Sequence, residues 1–267
     1  IPSMKRPFCV TWLLLVGCFG AGSLLGEPIA VRHREGVVRG FLALRSADGA
    51  LLANGDLIQS SRGDRVTSRL VFHFKDGSVQ DETAVFSQRD RFRLVSDHLI
   101  QRGPTFPRGM DVSIDAASGQ VKIRHRDEDG KEELIDEQME LPADLANGMI
   151  LTLLKNIDPD APSTTVPMLA TTPKPRLVKL VITRVGEEPF HVGRASYKAT
   201  RFNIEVQIGG LAGLIAPLIG KKPPDSSAWI IGGEAPGFVK SEGPMYQDGP
   251  IWRIELASPD YRRFGNP

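Results

Sequence analysis

The residues of this sequence that could carry out acid–base or nucleophilic chemistry are few and widely spaced. Asp97 next to His98 could be the orienting pair of a triad in which the histidine activates a distant serine. No G-x-S-x-G, S-x-x-K or H-E-x-x-H motif occurs in the sequence, so no serine stands in a recognisable activating context. We therefore predict that the protein is not an enzyme, and a hydrolase with a non-standard site is the less favoured alternative.

Metal-binding and cofactor motifs are also absent from the sequence. The histidines fall in separate segments, without the short spacing that places two ligands side by side: His33, His73, His98, His125 and His191. The acidic run Asp127 to Gly130 lacks the later ligands of a calcium loop, and a solvated hairpin turn explains it. We expect neither a metal ion nor a cofactor.

The overall charge is close to balanced, with 33 Lys and Arg against 32 Asp and Glu. Nucleic-acid-binding proteins usually carry a basic excess that attracts the phosphate backbone. A chain-wide attraction of this kind is missing here. We therefore expect no nucleic-acid partner.

The first residues have the features of an export signal. Lys5 and Arg6 precede the uncharged stretch Phe8 to Leu25, which glycines interrupt and which is short for a transmembrane helix. We predict a signal peptide over residues 1–26 and a single β-rich domain over residues 27–267. The protein is then exported to the periplasm or cell envelope.

Two ways of processing this signal stay open. The run Leu15-Val16-Gly17-Cys18 resembles a bacterial lipobox, in which Cys18 becomes the lipidated first residue of the mature protein. The alternative is ordinary cleavage nearer Gly22 or Gly26, which leaves a mature chain without cysteine. The protein is lipid-anchored in the first case only.

Short alternating segments with turn dipeptides dominate the first two thirds of the remaining chain. One such segment places its apolar side chains on a single face of a strand: Val66, Leu70, Phe72 and Phe74. Asp76-Gly77 then supplies a hairpin turn. The repeated pattern predicts a meander of about seven or eight antiparallel strands.

The stretch LPADLANGMILTLLKNI shows a different period. Apolar residues recur in it at helical spacing: Ala146, Ile150, Leu153, Leu154 and Ile157. Further alternating segments follow, among them the one with Phe202 and Ile204. We predict a mainly β fold, with a curved antiparallel sheet forming a half-barrel or open barrel and one principal α-helix against its concave side.

The order of these elements, with the stretches LPADLANG, SYKATRF and AWIIGGEAPGFVKSEGP, resembles a family of uncharacterised bacterial secreted domains. That family is similar in fold to the carriers of the lipoprotein localisation system. The resemblance implies a strongly curved, incompletely closed sheet that wraps around a helix and leaves an apolar hollow. It favours handling of lipid or lipoprotein and transfers no catalytic residue.

An uncharged stretch near the C-terminal end interrupts the strand pattern. It runs from Gly209 to Gly220, includes Leu214 and Ile215, and ends at Lys221 and Lys222. One interpretation is an apolar lip that closes over a ligand or touches a membrane surface, with the lysines facing headgroups. The other is a buried segment of the core.

These observations together favour non-catalytic binding of an apolar ligand such as a lipid, an acyl chain or a lipoprotein. An unclosed sheet leaves a hollow lined by inward side chains. The residues predicted to bind the ligand are Phe72, Phe74, Phe202, Ile204, Leu214, Ile215, Trp229 and Trp252. The alternative is a structural or protein-interaction module of the envelope, and the oligomeric state is left open.

Overall fold

The computed structural model describes residues 28–127, 129–171, 174–192, 194–208 and 223–257. They form fourteen strands and one short helix. The first eight strands are β1 (Val38–Arg45), β2 (Leu51–Arg62), β3 (Arg65–Phe74), β4 (Val79–Gln88), β5 (Phe92–Arg102), β6 (Met110–Asp115), β7 (Gln120–Arg126) and β8 (Glu132–Gln138). The helix α1 (Ile150–Leu154) is followed by β9 (Ser163–Ala170), β10 (Arg176–Val192), β11 (Ala195–Gln207), β12 (Ser226–Ile231), β13 (Gly237–Gly243) and β14 (Trp252–Leu256).

All fourteen strands belong to one antiparallel sheet in the order β8-β7-β6-β5-β4-β3-β2-β1-β14-β13-β12-β11-β10-β9. Sequential hairpins build each half, and β1 joins the halves by pairing with β14, Leu42 opposite Leu256. The predicted meander is confirmed, since eight strands precede the helix. The turn after β3 uses Gly77 at φ +83°, a conformation that glycine adopts without strain.

The sheet is strongly curved. The main core cluster unites Phe86 of β4 with Phe202 of β11, strands that a flat sheet would separate by more than about 30 Å. Four of the strands between them, β3, β2, β1 and β14, contribute buried side chains to a second cluster. The two halves therefore contribute to one core, to which the buried side chains around α1 also belong. Within the described residues no ladder joins the edge strands β8 and β9, so the sheet is open.

The predicted principal helix is wrong, because α1 has only five residues. Upstream of it, the backbone N–H of Ala146 donates to Pro167 O at 2.8 Å and the Asn147 side chain exchanges two hydrogen bonds with the Leu169 backbone. Gly148 then takes φ +63°, outside the helical region. These bonds to β9 replace the helical ladder, although the apolar side chains of the segment are buried as in a helix.

Hydrogen bonds and an ion pair hold the segment before β1 against the interior of the fold. The Glu35 carboxylate forms an ion pair with Lys155 just after α1 and accepts a hydrogen bond from Gln59 at 2.8 Å. Gln88 bonds both backbone groups of Glu35, at 2.6 and 2.9 Å. Asn156 accepts two backbone N–H bonds from the same N-terminal segment. A buried charge is thus paired and hydrogen-bonded.

Candidate functional site

An inward-facing row of side chains crosses four neighbouring strands of the first half-sheet. Its members are register partners on β2, β3, β4 and β5: Leu57, Leu70, Glu82 and Leu99. All four are half-buried. The neighbouring inward positions are mostly buried: Phe72, Gln80 and Gln101 on one side, Ala84 and Asp97 on the other. Partial exposure enclosed by buried neighbours indicates an internal hollow, called here the Glu82 hollow.

The electrostatics of this hollow centre on Glu82. Burial among protein atoms raises the pKa of this carboxyl from its ordinary 4.5 to about 7. The side chain nevertheless keeps part of its solvent exposure. A carboxyl group that protein atoms surround, but that water can still reach, has both properties. Glu82 therefore exchanges its proton near neutral pH.

A second carboxyl group lies diagonally across the same face, because Glu82 pairs with Leu99 while Asp97 pairs with Ala84. Burial raises the pKa of Asp97 well above its usual range, and the negative charge of Glu82 raises it further, against a hydrogen bond from the His98 backbone. Among the described residues Asp97 Oδ1 has no hydrogen-bond partner. Burial and the charge of Glu82 thus both favour the neutral form of the Asp97 carboxyl group.

Gly148 covers this part of the inner wall. A Cβ atom at this position would lie 2.5 Å from Ala84 Cβ and 2.7 Å from Asp97 Oδ1. Only glycine allows so close an approach, and its positive φ favours glycine as well. The segment before α1 thus packs directly onto the strands that carry Glu82 and Asp97.

The hollow is lined by leucine side chains and contains the titratable carboxyl group of Glu82. A neutral carboxyl group donates a hydrogen bond, and an ionised one attracts a cation. No group of three or more metal-ligating side chains occurs in the part of the chain that the structure describes. The arrangement suits an amphiphile whose apolar part contacts the leucines.

The predicted ligand-binding aromatics of β3 and β14 come together beside this hollow. Phe72, Phe74 and Trp252 share a cluster with Phe106. The Phe74 ring lies 5.3 Å from that of Phe106 and 5.7 Å from that of Trp252. Phe72 is fully buried in the inward row next to Leu70. These side chains form a tightly packed floor.

The other predicted ligand-binding residues do not join that cluster. Phe202 and Ile204 lie in the main core, on the opposite half of the sheet. Leu214 and Ile215, like the predicted lipidation site Cys18, lie outside the described residues. Phe202 and Ile204 of β11 are thus separated from Phe74 and Trp252.

Trp229 lies on the outer face of the sheet. Its neighbours on β12, Ala228 and Ile230, point into the main core, so strand alternation turns Trp229 outward. The indole Nε1 donates to Glu188 at 2.7 Å, and Lys240 Nζ stands 4.0 Å from the ring centroid. The apolar side chains of Ala199 and Val239 together with these charged groups bury this tryptophan, and it does not line the hollow.

Strand alternation also separates the two residues considered for a hydrolase triad. Asp97 points inward, whereas His98 points outward and pairs with Asp111, Nε2 to Oδ1 2.9 Å. Ser113 is the register partner of His98 on β6. The His98 and Asp111 side chains are 47% and 42% exposed, so this group stands on an open surface that does not exclude water.

Sequence reasoning missed Glu82, Leu57 and Leu99 as interior residues. A signal was present for the first of them: Glu82 alternates with Ala84 and Phe86, two small or apolar side chains at inward positions. A glutamate in such a pattern is easily assigned to solvent, because carboxylates are rarely buried.

The fold and the hollow together define an open, curved, β-barrel-like protein. No protein-family model matches the chain, and no curated protein matches it significantly. Among solved structures it is similar to a β-barrel-like protein of Domain of Unknown Function DUF1849 from Brucella abortus, with 9% identity, a TM-score of 0.45, and coverage of 84% of this chain and 97% of that one. A likeness of this size carries no argument about function. No helix among the described residues is long and apolar enough to cross a membrane.

Proposed function

We propose that this protein is a non-catalytic binder of an apolar or amphiphilic ligand, such as a lipid or an acyl chain, that works in the cell envelope after export. The observation that supports this proposal is the half-buried row of Leu57, Leu70, Glu82 and Leu99 between two buried rows. Water-accessible leucines inside a curved sheet leave apolar surface that a ligand can cover.

The dimensions and chemistry of the row favour a chain-like ligand. Leu57 and Leu99 stand three strand spacings apart, about 14 Å. Fully burying an exposed leucine side chain stabilises by about 1.5–3 kcal/mol, and a ligand that covers these half-buried leucines gains the fraction that belongs to their remaining exposed surface. Glu82 would meet the polar end or a polar substituent of that ligand by hydrogen bonding or charge.

A matched pair of variants tests this proposal, because Leu57 faces the hollow and Ile58 faces solvent on the same strand. Leu57→Trp should fill the hollow and weaken binding of a fluorescent long-chain fatty acid about tenfold or more. Ile58→Trp should bind like the wild type. Fluorescence titration measures affinity, and thermal melts confirm that both variants fold.

The native ligand can be sought directly by native mass spectrometry of the protein purified from its own envelope. A bound lipid that is reduced in Leu57→Trp and retained in Ile58→Trp supports the proposal. Equal fatty-acid affinity in the two folded variants contradicts it, as does the absence of binding to the wild type.

The alternative is an interaction module of the envelope, and β8 is the observation that favours it. This strand lies at the edge of the sheet and is exposed along nearly its whole length. An open edge can receive a strand from a partner protein. Its charged side chains act against indiscriminate pairing.

A further inference from the structure

Arginines are concentrated at one rim of the sheet, where the β2–β3 and β4–β5 turns lie. Arg62 and Arg65 are register partners on the outer face, and Arg65 is followed across the sheet by Ser87 and Arg93. All three arginines are exposed. Three arginines thus occupy one register row across β2 to β5, with Ser87 of β4 between Arg65 and Arg93.

Further arginines extend this line into a patch. Arg34 and Arg89 both reach Asp64 in the β2–β3 turn, at 2.8 and 3.1 Å. We name the exposed set the arginine rim: Arg34, Arg62, Arg65, Arg89 and Arg93. Five positive charges face the two aspartates of these turns, Asp64 and Asp90, which leaves a local net charge of +3.

Neighbouring carboxylates do not neutralise the excess positive charge of the arginine rim. Within the described part of the chain no carboxylate forms an ion pair with Arg62 or Arg65. Asp144 lies within electrostatic reach of Arg93, but it is buried and its pKa is raised by that burial. The whole chain has a net charge of only +1, so the rim is a local feature rather than a consequence of overall composition.

Exposed apolar side chains adjoin the rim. Val37 is 83% exposed and Val38 is 39% exposed, at the start of β1. Val37 comes three residues after Arg34 of the rim, whereas Val38 is the register partner of Gln59 and so lies on the inner face, opposite the outer face of Arg62 and Arg65. Basic residues beside exposed aliphatic ones are typical of surfaces that contact lipid headgroups.

The N-terminal segment enters the fold at this same rim. The backbone N–H of Phe92 donates to Ile29 O, and that of Val31 donates to Asp90 O, both at 3.0 Å. Nine residues lie between Cys18 and Pro28, so a lipid on Cys18 as the first mature residue would lie within about 35 Å of this rim even with the segment fully extended.

We propose that the arginine rim is a docking surface for an anionic phospholipid membrane, which holds the protein with this end of the sheet against the headgroups. Charge complementarity and the position at which the N-terminal segment joins the sheet both favour a membrane over other anionic partners. The proposal does not depend on the Glu82 hollow, which lies inside the sheet.

Vesicle co-flotation of the mature protein, purified after export, tests this docking surface. The wild type should bind vesicles containing phosphatidylglycerol more strongly than pure phosphatidylcholine vesicles, and added salt should weaken the preference. The triple variant Arg62→Gln, Arg65→Gln, Arg93→Gln should lose this preference. Each basic residue at an anionic surface contributes about fivefold, so the expected loss is about a hundredfold.

A matched control removes three positive charges from β7: Lys122→Gln, Arg124→Gln and Arg126→Gln. Lys122 forms an ion pair with Asp136 of β8, and Arg124 forms one with Glu132. These positive charges are therefore balanced, unlike those of the arginine rim. This control should keep the preference for anionic vesicles within about threefold of the wild type.

Three results would overturn the proposal. They are equal binding of the wild type to both kinds of vesicle, a triple variant that keeps the preference, and a control that loses it to the same extent. If the triple variant is unstable in a thermal melt, the single Arg65→Gln variant replaces it, with an expected loss of about fivefold. Binding to an acidic protein or polysaccharide without binding to anionic vesicles would also refute membrane docking.

Discussion

Replacing Lys155 by methionine should lower the free energy of unfolding by about 3–5 kcal/mol, because it leaves the Glu35 carboxylate buried without its counter-charge. The Glu35 side chain is 5% exposed and that of Lys155 17%, so water cannot take the place of the ammonium group without a rearrangement. Chemical denaturation of wild type and variant at neutral pH measures the difference.

Two further variants separate a lost charge pair from lost packing. Glu35→Gln combined with Lys155→Met removes both charges and keeps an acceptor for Gln59, so it should recover most of the lost stability. Lys198→Met breaks the exposed pair with Glu187 and should cost less than about 1 kcal/mol. A similar cost for Lys155→Met and Lys198→Met would show that the buried pair is not needed.

The stability of the wild type should decrease as the pH rises from 5 to 8, and Glu82 should account for about 2–3 kcal/mol of the decrease. The folded-state pKa of about 7 exceeds the ordinary 4.5, so the folded protein holds this proton more tightly than the unfolded chain. The stabilisation is fully present below about pH 4.5 and is lost as the pH rises through 7. Asp97, whose pKa is also raised, acts in the same direction.

Glu82→Gln isolates this contribution. The variant should resemble the wild type near pH 5, where Glu82 is largely neutral when folded, and should exceed it in stability near pH 8. Glu132→Gln on the exposed β8 is the control and should leave the pH dependence unchanged. Urea denaturation at a series of pH values measures both. A parallel pH dependence in wild type and Glu82→Gln would show that the carboxyl group is solvated like a surface residue.

The hairpin architecture followed from the sequence because its causes are local. The alternation of Val66, Leu70, Phe72 and Phe74 predicts one face of β3, and the adjacent Asp76-Gly77 predicts the turn after it. In the structure Val66, Phe72 and Phe74 are buried and Leu70 is half-buried on the same face. Each signal lies within a few residues of the element that it specifies.

The short helix shows where local periodicity misleads. Leu153 and Leu154 have the spacing of an amphipathic helix and are buried, yet α1 begins only at Ile150. What interrupts the pattern is the pairing of Asn147 with Leu169, 22 residues away. A hydrogen bond to a distant strand can replace the helical ladder, and no periodicity in the segment reports it.

The sequence by itself determined the β class, the hairpin turns, and the absence of standard catalytic motifs. The tertiary structure alone decided which of the alternating faces became the interior. Trp229 faces outward beneath charged side chains, whereas Glu82 faces inward with its proton held to about pH 7. The physical reason is that the curvature brings strands distant in the chain, such as β4 and β11, into one core, and burial exists only once that core has formed.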